Sequence, residues 1–238
     1  MPFGAKSFAK IKIPKGRSNI LFGLFAQYSF LSAASAISAV KNFGDMEKKI
    51  QEILACRQKT CIQDDRLKRA AVLIPVFKKD GEYHLLFTRR TDRVEHHKGQ
   101  ISFHGGRQDP EDPDLLTTAL REAEEEMGIR KEDVRILGEL DDICTVTDFC
   151  VAPFVGLIPY PYPFRPNPHE IAETIEVPLA ALLDPNRLRK EFREHAGRSG
   201  PVYFYQHGRH IIWGATASIL KQLLDLLPEE EKRNLMAS

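Results

Sequence analysis

Residues 106–129 read GRQDPEDPDLLTTALREAEEEMGI, and their reading decides the fold. A loop of aspartates and prolines leads into residues 114–127, which read as a helix, and Gly128 supplies the left-handed residue that stops it. Each helical residue advances about 100° around the axis. With Glu122 at zero, Glu125 falls at about 300° and Glu126 at about 40°, so the three share one stripe. Glu124, at about 200°, points away, while Leu116, Ala119, Leu120, Ala123 and Met127 supply apolar packing around much of the rest. Three carboxylates on one stripe repel unless a cation or basic partners neutralise them. Mg²⁺ or Mn²⁺ would answer that need, since hard divalent ions take oxygen ligands and leave positions for water or substrate phosphates. Arg121 could hold one of these carboxylates in orientation. Three glutamates alone would fit a solvated acidic face. The double glycine before the helix, the Arg-Glu and Glu-Glu pairs and the capping glycine argue for more.

Strand and turn signals surround this helix. Residues 46–67 are polar and helix-compatible, with Ile50, Ile53 and Leu54 on one face. Residues 70–77 and 83–87 read as two strands of a hairpin closed by Lys78-Lys79-Asp80-Gly81. A basic loop over residues 89–98 precedes a short strand at 101–103 and then Gly105-Gly106. Further strands are expected at 134–140, 151–158 and 171–177, with a proline-rich loop at 159–168. Helical turns are expected at 179–183 and 185–195, a hairpin of 202–205 with 210–213, and a closing amphipathic helix at 216–227. Trp213 and the tyrosines are expected in the core. Strands and helices mix without strict alternation or internal repeat, so one α/β domain accounts for the pattern.

The chain has 238 residues, 42% of them hydrophobic, enough to bury a real core. Lys and Arg number 34 against 33 Asp and Glu, which excludes the global basic field of a nucleic-acid binder and the acidic excess of a disordered chain. Four cysteines (Cys56, Cys61, Cys144, Cys150) are too few for a disulfide scaffold and lack zinc-knuckle spacing, so a reduced, cytoplasmic protein is the expectation. Residues 1–45 differ from the rest. They carry six basic residues against one acid, and the stretch 20–40 is too polar for a membrane span. A flexible head is expected there: a tail, an upstream start ahead of Met46, or an organellar transit peptide that would direct the protein to mitochondria. Residues 46–238 are expected to form the folded domain, with no membrane or nucleic-acid partner and an oligomeric state left open.

The helix segment resembles the Nudix box: Gly, five residues, Glu, seven residues, Arg-Glu, an aliphatic, any residue, Glu-Glu, any residue, Gly, an aliphatic. The second half matches throughout, from Arg121-Glu122-Ala123 to Gly128-Ile129. In the first half Asp112 replaces the glutamate, and the loop entering the helix is one residue longer. The resemblance implies the Nudix fold, an α/β/α sandwich around a mixed β-sheet, and hydrolysis of a nucleoside diphosphate linked to another moiety. It implies Glu122, Glu125 and Glu126 as ligands of Mg²⁺ or Mn²⁺. One of the glutamates would double as the base toward water, with Glu122, Glu125 and Arg121 the catalytic candidates. Gly105 and Gly106 would bring bare backbone close to the metal or phosphate.

A second resemblance is finer. Leu85-Leu86-Phe87-Thr88-Arg89-Arg90-Thr91, followed by His97-Lys98-Gly99-Gln100-Ile101-Ser102-Phe103-His104-Gly105-Gly106, is similar to the signature of the coenzyme A diphosphatase branch. Asn167-Pro168-His169-Glu170-Ile171, Val177-Pro178-Leu179, Tyr203-Phe204-Tyr205 and Ile212-Trp213-Gly214-Ala215-Thr216-Ala217 look like later elements of that branch. The likeness spans residues 65–227 and implies cleavage of coenzyme A or an acyl-coenzyme A. Another diphosphate, such as ADP-ribose, NADH or a dinucleoside polyphosphate, is the alternative. Arg89, Arg90, His97 and Lys98, with Gly105 and Gly106, are then the substrate-binding candidates, guanidinium forks being well suited to phosphate oxygens. His104 stands where the branch has proline, and Val94-Glu95 where a common version has Leu-Arg. A dedicated zinc site is not expected, because His96 and His97 are adjacent and cannot both face one ion on a strand.

Overall fold

A computed structural model describes residues 46–93, 97–195 and 198–237. The expected head, residues 1–45, lies outside the described residues, as do Val94, Glu95 and His96. The organising strand is β1 (Lys68–Lys79). Along one edge it pairs in parallel with β7 (Phe149–Leu157), from Lys68↔Phe149 to Val76↔Leu157. Its other edge is shared. The C-terminal part forms a hairpin with β2 (Glu82–Arg90), from Val76↔Leu85 to Lys79↔Glu82, whereas the N-terminal part pairs with β4 (His104–Arg107), from Ala70↔Arg107 to Leu73↔His104. Asp80 and Gly81, both at positive φ (50° and 88°), make the tight turn that fits the right-handed twist of the hairpin.

Strands β1 and β2 therefore diverge, and β3 (Ile101–Ser102) with β4 bridges the divergence. The free edge of β2 takes β8 (Ile171–Pro178), and β7 carries β5 (Arg135–Glu139) and β6 (Ile143–Cys144), giving an eight-stranded mixed sheet. Side chains alternate across it. Ala71, Leu73 and Phe77 face α2 (Leu115–Met127) and bury Ala119, Ala123 and Met127. Ile74, Val76, Leu85 and Phe87 face the opposite core, built with α1 (Met46–Cys56), α3 (Leu179–Leu183) and α4 (Gly214–Leu226). The sheet thus lies between helices, an α/β/α sandwich.

A second sheet of three antiparallel strands, β9 (Leu188–His195), β10 (Arg198–His207) and β11 (His210–Trp213), precedes α4. Here two expectations fail. Residues 185–195 are not helical beyond the 3₁₀ turn Pro185–Arg187, because β9 pairs with β10 from Leu188↔Tyr205 to Arg198↔His195, and ladder pairing overrides the helix propensity of Arg, Lys and Glu. Trp213 is 40% exposed, on the outward face of this sheet, and stacks on Phe204 with centroids 6.3 Å apart. Tyr205, by contrast, is buried. The terminal helix α5 (Glu229–Ala237), with Leu235 buried, carries no strong sequence signal.

Both ends of α2 are held. Asp114 caps the first turn, accepting the Thr117 N–H at 2.7 Å. Gly128, at φ 69°, lets its N–H reach the Glu124 carbonyl at 2.8 Å while Ile129 N–H reaches that of Ala123 at 3.3 Å. The proline-rich loop closes the same end: Arg165 N–H donates to the Met127 carbonyl and Asn167 N–H to that of Glu126, each at 2.8 Å. Replacing Asp114 with alanine should cost about 1 kcal/mol of stability. Chemical denaturation of the two proteins measures this, and an unchanged midpoint would contradict the cap.

Candidate active site

The site forms where α2 crosses β4. His104 and Gly106 lie on the helix side of β4, opposite Leu73 and Ala71, and Gly105 faces away. At Gly106 the approach is so close that a Cβ would stand 2.4 Å from the Glu122 carboxylate, and at Gly105 a Cβ would stand 2.1 Å from the Ala71 carbonyl oxygen. Any side chain would push the helix carboxylate off the strand. The double glycine is therefore a packing requirement of the site.

The three stripe glutamates differ sharply in exposure. The Glu126 side chain is 2% exposed, Glu122 18% and Glu125 58%, while Glu124 points to solvent elsewhere. Burial pushes the Glu122 carboxyl up to about 7; Arg121 pulls against that, and the negative charge of Glu126 adds to it. Glu122 and Glu126 thus form an inner pair short of positive charge, with Glu125 at the rim.

Arg121 binds more than one carboxylate. Its Nη1 lies 3.0 Å from Glu122 Oε1 and 3.1 Å from Glu125 Oε2, and Nε and Nη2 reach Asp112 at 3.1 and 3.0 Å. Asp112 is buried, accepts the Thr118 hydroxyl at 2.9 Å and the Asp109 N–H at 3.1 Å, and its carboxyl is held down to about 2, chiefly by Arg121. The residue whose role was open in the sequence is the anchor of the arginine that braces the stripe. One extra loop residue does not prevent this, because an aspartate, one methylene shorter than glutamate, still meets Arg121 from that loop.

Of the basic candidates, Arg90 reaches the helix. Its Nη1 stands 3.4 Å from Glu126 Oε1 and its Nη2 3.8 Å from Glu170. Arg89 does not. Consecutive strand residues face opposite sides, so Arg89 pairs with Glu173 at 3.1 Å, beside Arg209 and His210. The sheet thus separates the two neighbouring arginine candidates, Arg89 and Arg90. His97 and Lys98 are exposed in the loop before β3, and His97 Nδ1 lies 2.9 Å from Gln100 Oε1. Sequence reasoning missed His104 as a site residue, although its departure from the branch pattern marked the position: the ring is fully buried with Nδ1 3.4 Å from Glu126 Oε2. Cys150, the buried cysteine, has its thiol pushed up to about 11, chiefly by burial, so it offers no thiolate nucleophile.

Among the described residues, no three His, Cys, Asp or Glu side chains close into a ready metal cage. The arrangement suits a hard ion nonetheless. Mg²⁺ and Mn²⁺ are commonly held by one or two carboxylates with the remaining positions left to water and phosphate, and Glu126 Oε2 is buried without a hydrogen bond.

Comparison with known proteins agrees with this geometry. The family model described as the NUDIX domain matches residues 67–197, more than half of the chain. The chain belongs to the Nudix family. It is 40% identical over 159 residues to a protein described as the uncharacterized Nudix hydrolase NudL of Photorhabdus laumondii, covering 67% of this chain and 84% of that one. A NudL of Yersinia pestis (strain Pestoides F) is 41% identical over 156 residues, covering 66% and 78%. This Nudix protein is accordingly a hydrolase of a nucleoside diphosphate derivative, in a family that generally uses divalent metals such as Mg²⁺ or Mn²⁺. No helix among its described residues is long and apolar enough to cross a membrane.

Replacing Asp112 with asparagine should free Arg121 and lower stability at neutral pH by about 1–3 kcal/mol. A carboxyl held down to about 2 in the folded state contributes stability above its unfolded value of 3.8 and loses it as pH falls through 2. Urea denaturation at several pH values should therefore show the two proteins converging between pH 4 and pH 2, and a constant gap would refute the role.

Proposed function

We propose that this Nudix protein hydrolyses the diphosphate of coenzyme A or its thioesters, releasing 3′,5′-ADP and 4′-phosphopantetheine or its acyl form. The observation that carries the reading is the meeting of its two motifs. The segment resembling the coenzyme A diphosphatase signature ends β2 with Arg90, and that guanidinium lies 3.4 Å from the innermost box carboxylate, Glu126. Substrate motif and hydrolytic motif thus share one point.

In this reading Glu122 and Glu126 are the inner oxygen ligands, with Glu125 joining from the rim. A divalent ion held there would neutralise the diphosphate oxygens and favour attack by water. Arg121, braced by Asp112, keeps Glu122 and Glu125 in register. Glu122, lying on the bare backbone of Gly106, or Glu125 at the rim would take a proton from the attacking water. The bare backbone at Gly106 lets the Glu122 carboxylate lie against the strand, Arg90 supplies positive charge beside Glu126, and His97 and Lys98, exposed in the loop before β3, are the further candidates for substrate phosphate. Arg89 belongs to a second basic group with Arg209 and His210 around Glu173, across the sheet.

Exchange of Glu126 for glutamine keeps the size and removes the charge. Turnover should fall roughly a thousandfold, about 4 kcal/mol of transition-state stabilisation, with the fold retained. Glu124→Gln, on the solvent side, should leave turnover unchanged. Normal activity in a folded Glu126→Gln protein would sink the assignment.

Substrate identity is tested by a panel with product identification by mass spectrometry. Dephospho-coenzyme A differs from coenzyme A only by the 3′-phosphate, so losing one charge-assisted contact should lower kcat/KM by about ten- to a hundredfold. ADP-ribose should be poorer still. A higher kcat/KM for ADP-ribose or NADH would overturn the coenzyme A reading and leave the broader one.

A further inference from the structure

His104 is fully buried, and neither of its ring nitrogens has a hydrogen-bond partner. Its position on β4, two residues before Gly106, turns the ring toward α2. Facing it across 3.4 Å is Glu126 Oε2, also buried and without a hydrogen bond. The other oxygen of that carboxylate belongs to Arg90, at 3.4 Å. Buried polar atoms are nearly always satisfied, and two that confront each other at a distance too long for a good hydrogen bond call for something between them. Adjacent donors on one six-coordinate ion, each about 2.1 Å from it, stand about 3 Å apart. The gap between His104 and Glu126 is close to that spacing.

We propose that His104 Nδ1 is a metal ligand beside Glu126 Oε2, so that this site offers a nitrogen donor together with its carboxylates and favours Mn²⁺ and Co²⁺ over Mg²⁺. The proposal rests on reading Glu122 and Glu126 as the metal platform. Imidazole suits transition metals, whereas Mg²⁺ is a hard ion that keeps to oxygen ligands and water. Arg90 does not displace the ion, since it occupies the opposite carboxylate oxygen and shares its charge with Glu170, 3.8 Å away. Glu122, against Gly106 on the same side of β4, supplies a further carboxylate oxygen donor. The residue that departs from the branch's proline thereby changes the chemistry of the donor set without altering the carboxylates.

The test uses the full chain with Mn²⁺, Co²⁺ and Mg²⁺ as probes, in the absence of substrate. Pulsed electron paramagnetic resonance of bound Mn²⁺ should reveal coupling to a directly coordinated imidazole ¹⁴N. That coupling should vanish in His104→Gln and in His104→Pro, the latter restoring the branch's residue. Mn²⁺ affinity, from the free-ion signal, should fall at least about tenfold in both, Co²⁺ affinity likewise, and Mg²⁺ affinity, by competition, much less. Bound Mn²⁺ without ¹⁴N coupling in the unaltered protein overturns the proposal even if neither variant folds. So does unchanged Mn²⁺-over-Mg²⁺ preference in both variants. Glu126→Gln separates the two readings. If it abolishes Mn²⁺ binding while the His104 variants bind normally, only the nitrogen ligand is wrong; if it binds Mn²⁺ as the unaltered protein does, the carboxylate platform falls and His104 with it.

Discussion

A carboxylate can be pressed against a β-sheet only if something answers its charge, and this requirement organises the molecule. Glu126 is 2% exposed and Glu122 lies on the bare backbone of Gly106. Leaving such groups charged without partners would cost several kcal/mol each. The structure answers with arginine on both flanks: Arg121 among Asp112, Glu122 and Glu125, and Arg90 against Glu126. The compensation is incomplete at the inner pair, as the raised Glu122 carboxyl and the orphaned Glu126 oxygen both indicate. An incompletely neutralised carboxylate pair is what the proposed divalent-ion platform requires.

The scaffold serves this one juxtaposition. Divergence of β1 from β2 admits β4 beside β1, and β4 brings glycine under the helix. Ala119 and Ala123 are the small residues that let α2 lie close to Ala71 and Leu73. Caps at Asp114 and Gly128, with the loop that seals the last carbonyls, fix the ends of the helix, and the burial of Ala119, Ala123 and Met127 against the sheet decides which glutamates face inward. The packing on the far side, by α1, α3 and α4, supplies the second hydrophobic layer that keeps the sheet buried on both faces.

Much of the helix was legible because its signals are local. The arc shared by Glu122, Glu125 and Glu126, the stop at Gly128 and the Asp80-Gly81 turn each depend on a few consecutive residues and on fixed helical or strand periods. Legibility failed where a residue's role depends on a distant partner. Residues 188–195 carry helix-forming side chains, yet pairing with β10 makes them a strand. Arg89 and Arg90 look equivalent in a list of basic residues, yet the pleat sends them to opposite faces, one to Glu173 and the other to Glu126. Trp213 looks like a core residue, yet its strand turns it outward onto Phe204.

The sequence by itself determined the glutamate stripe, since a helical period needs no tertiary information to be recognised, and its resemblance to the Nudix box implied the family and the sandwich class. Only the tertiary structure decided how the stripe divides into a buried pair and an exposed rim, that Asp112 is the anchor of Arg121, and that His104 confronts Glu126. The physical reason is that charge compensation and burial are set by contacts between α2, β2 and β4, segments separated by up to 36 residues between Arg90 and Glu126. Local sequence patterns specify which faces exist; the pairing of strands specifies what each face meets.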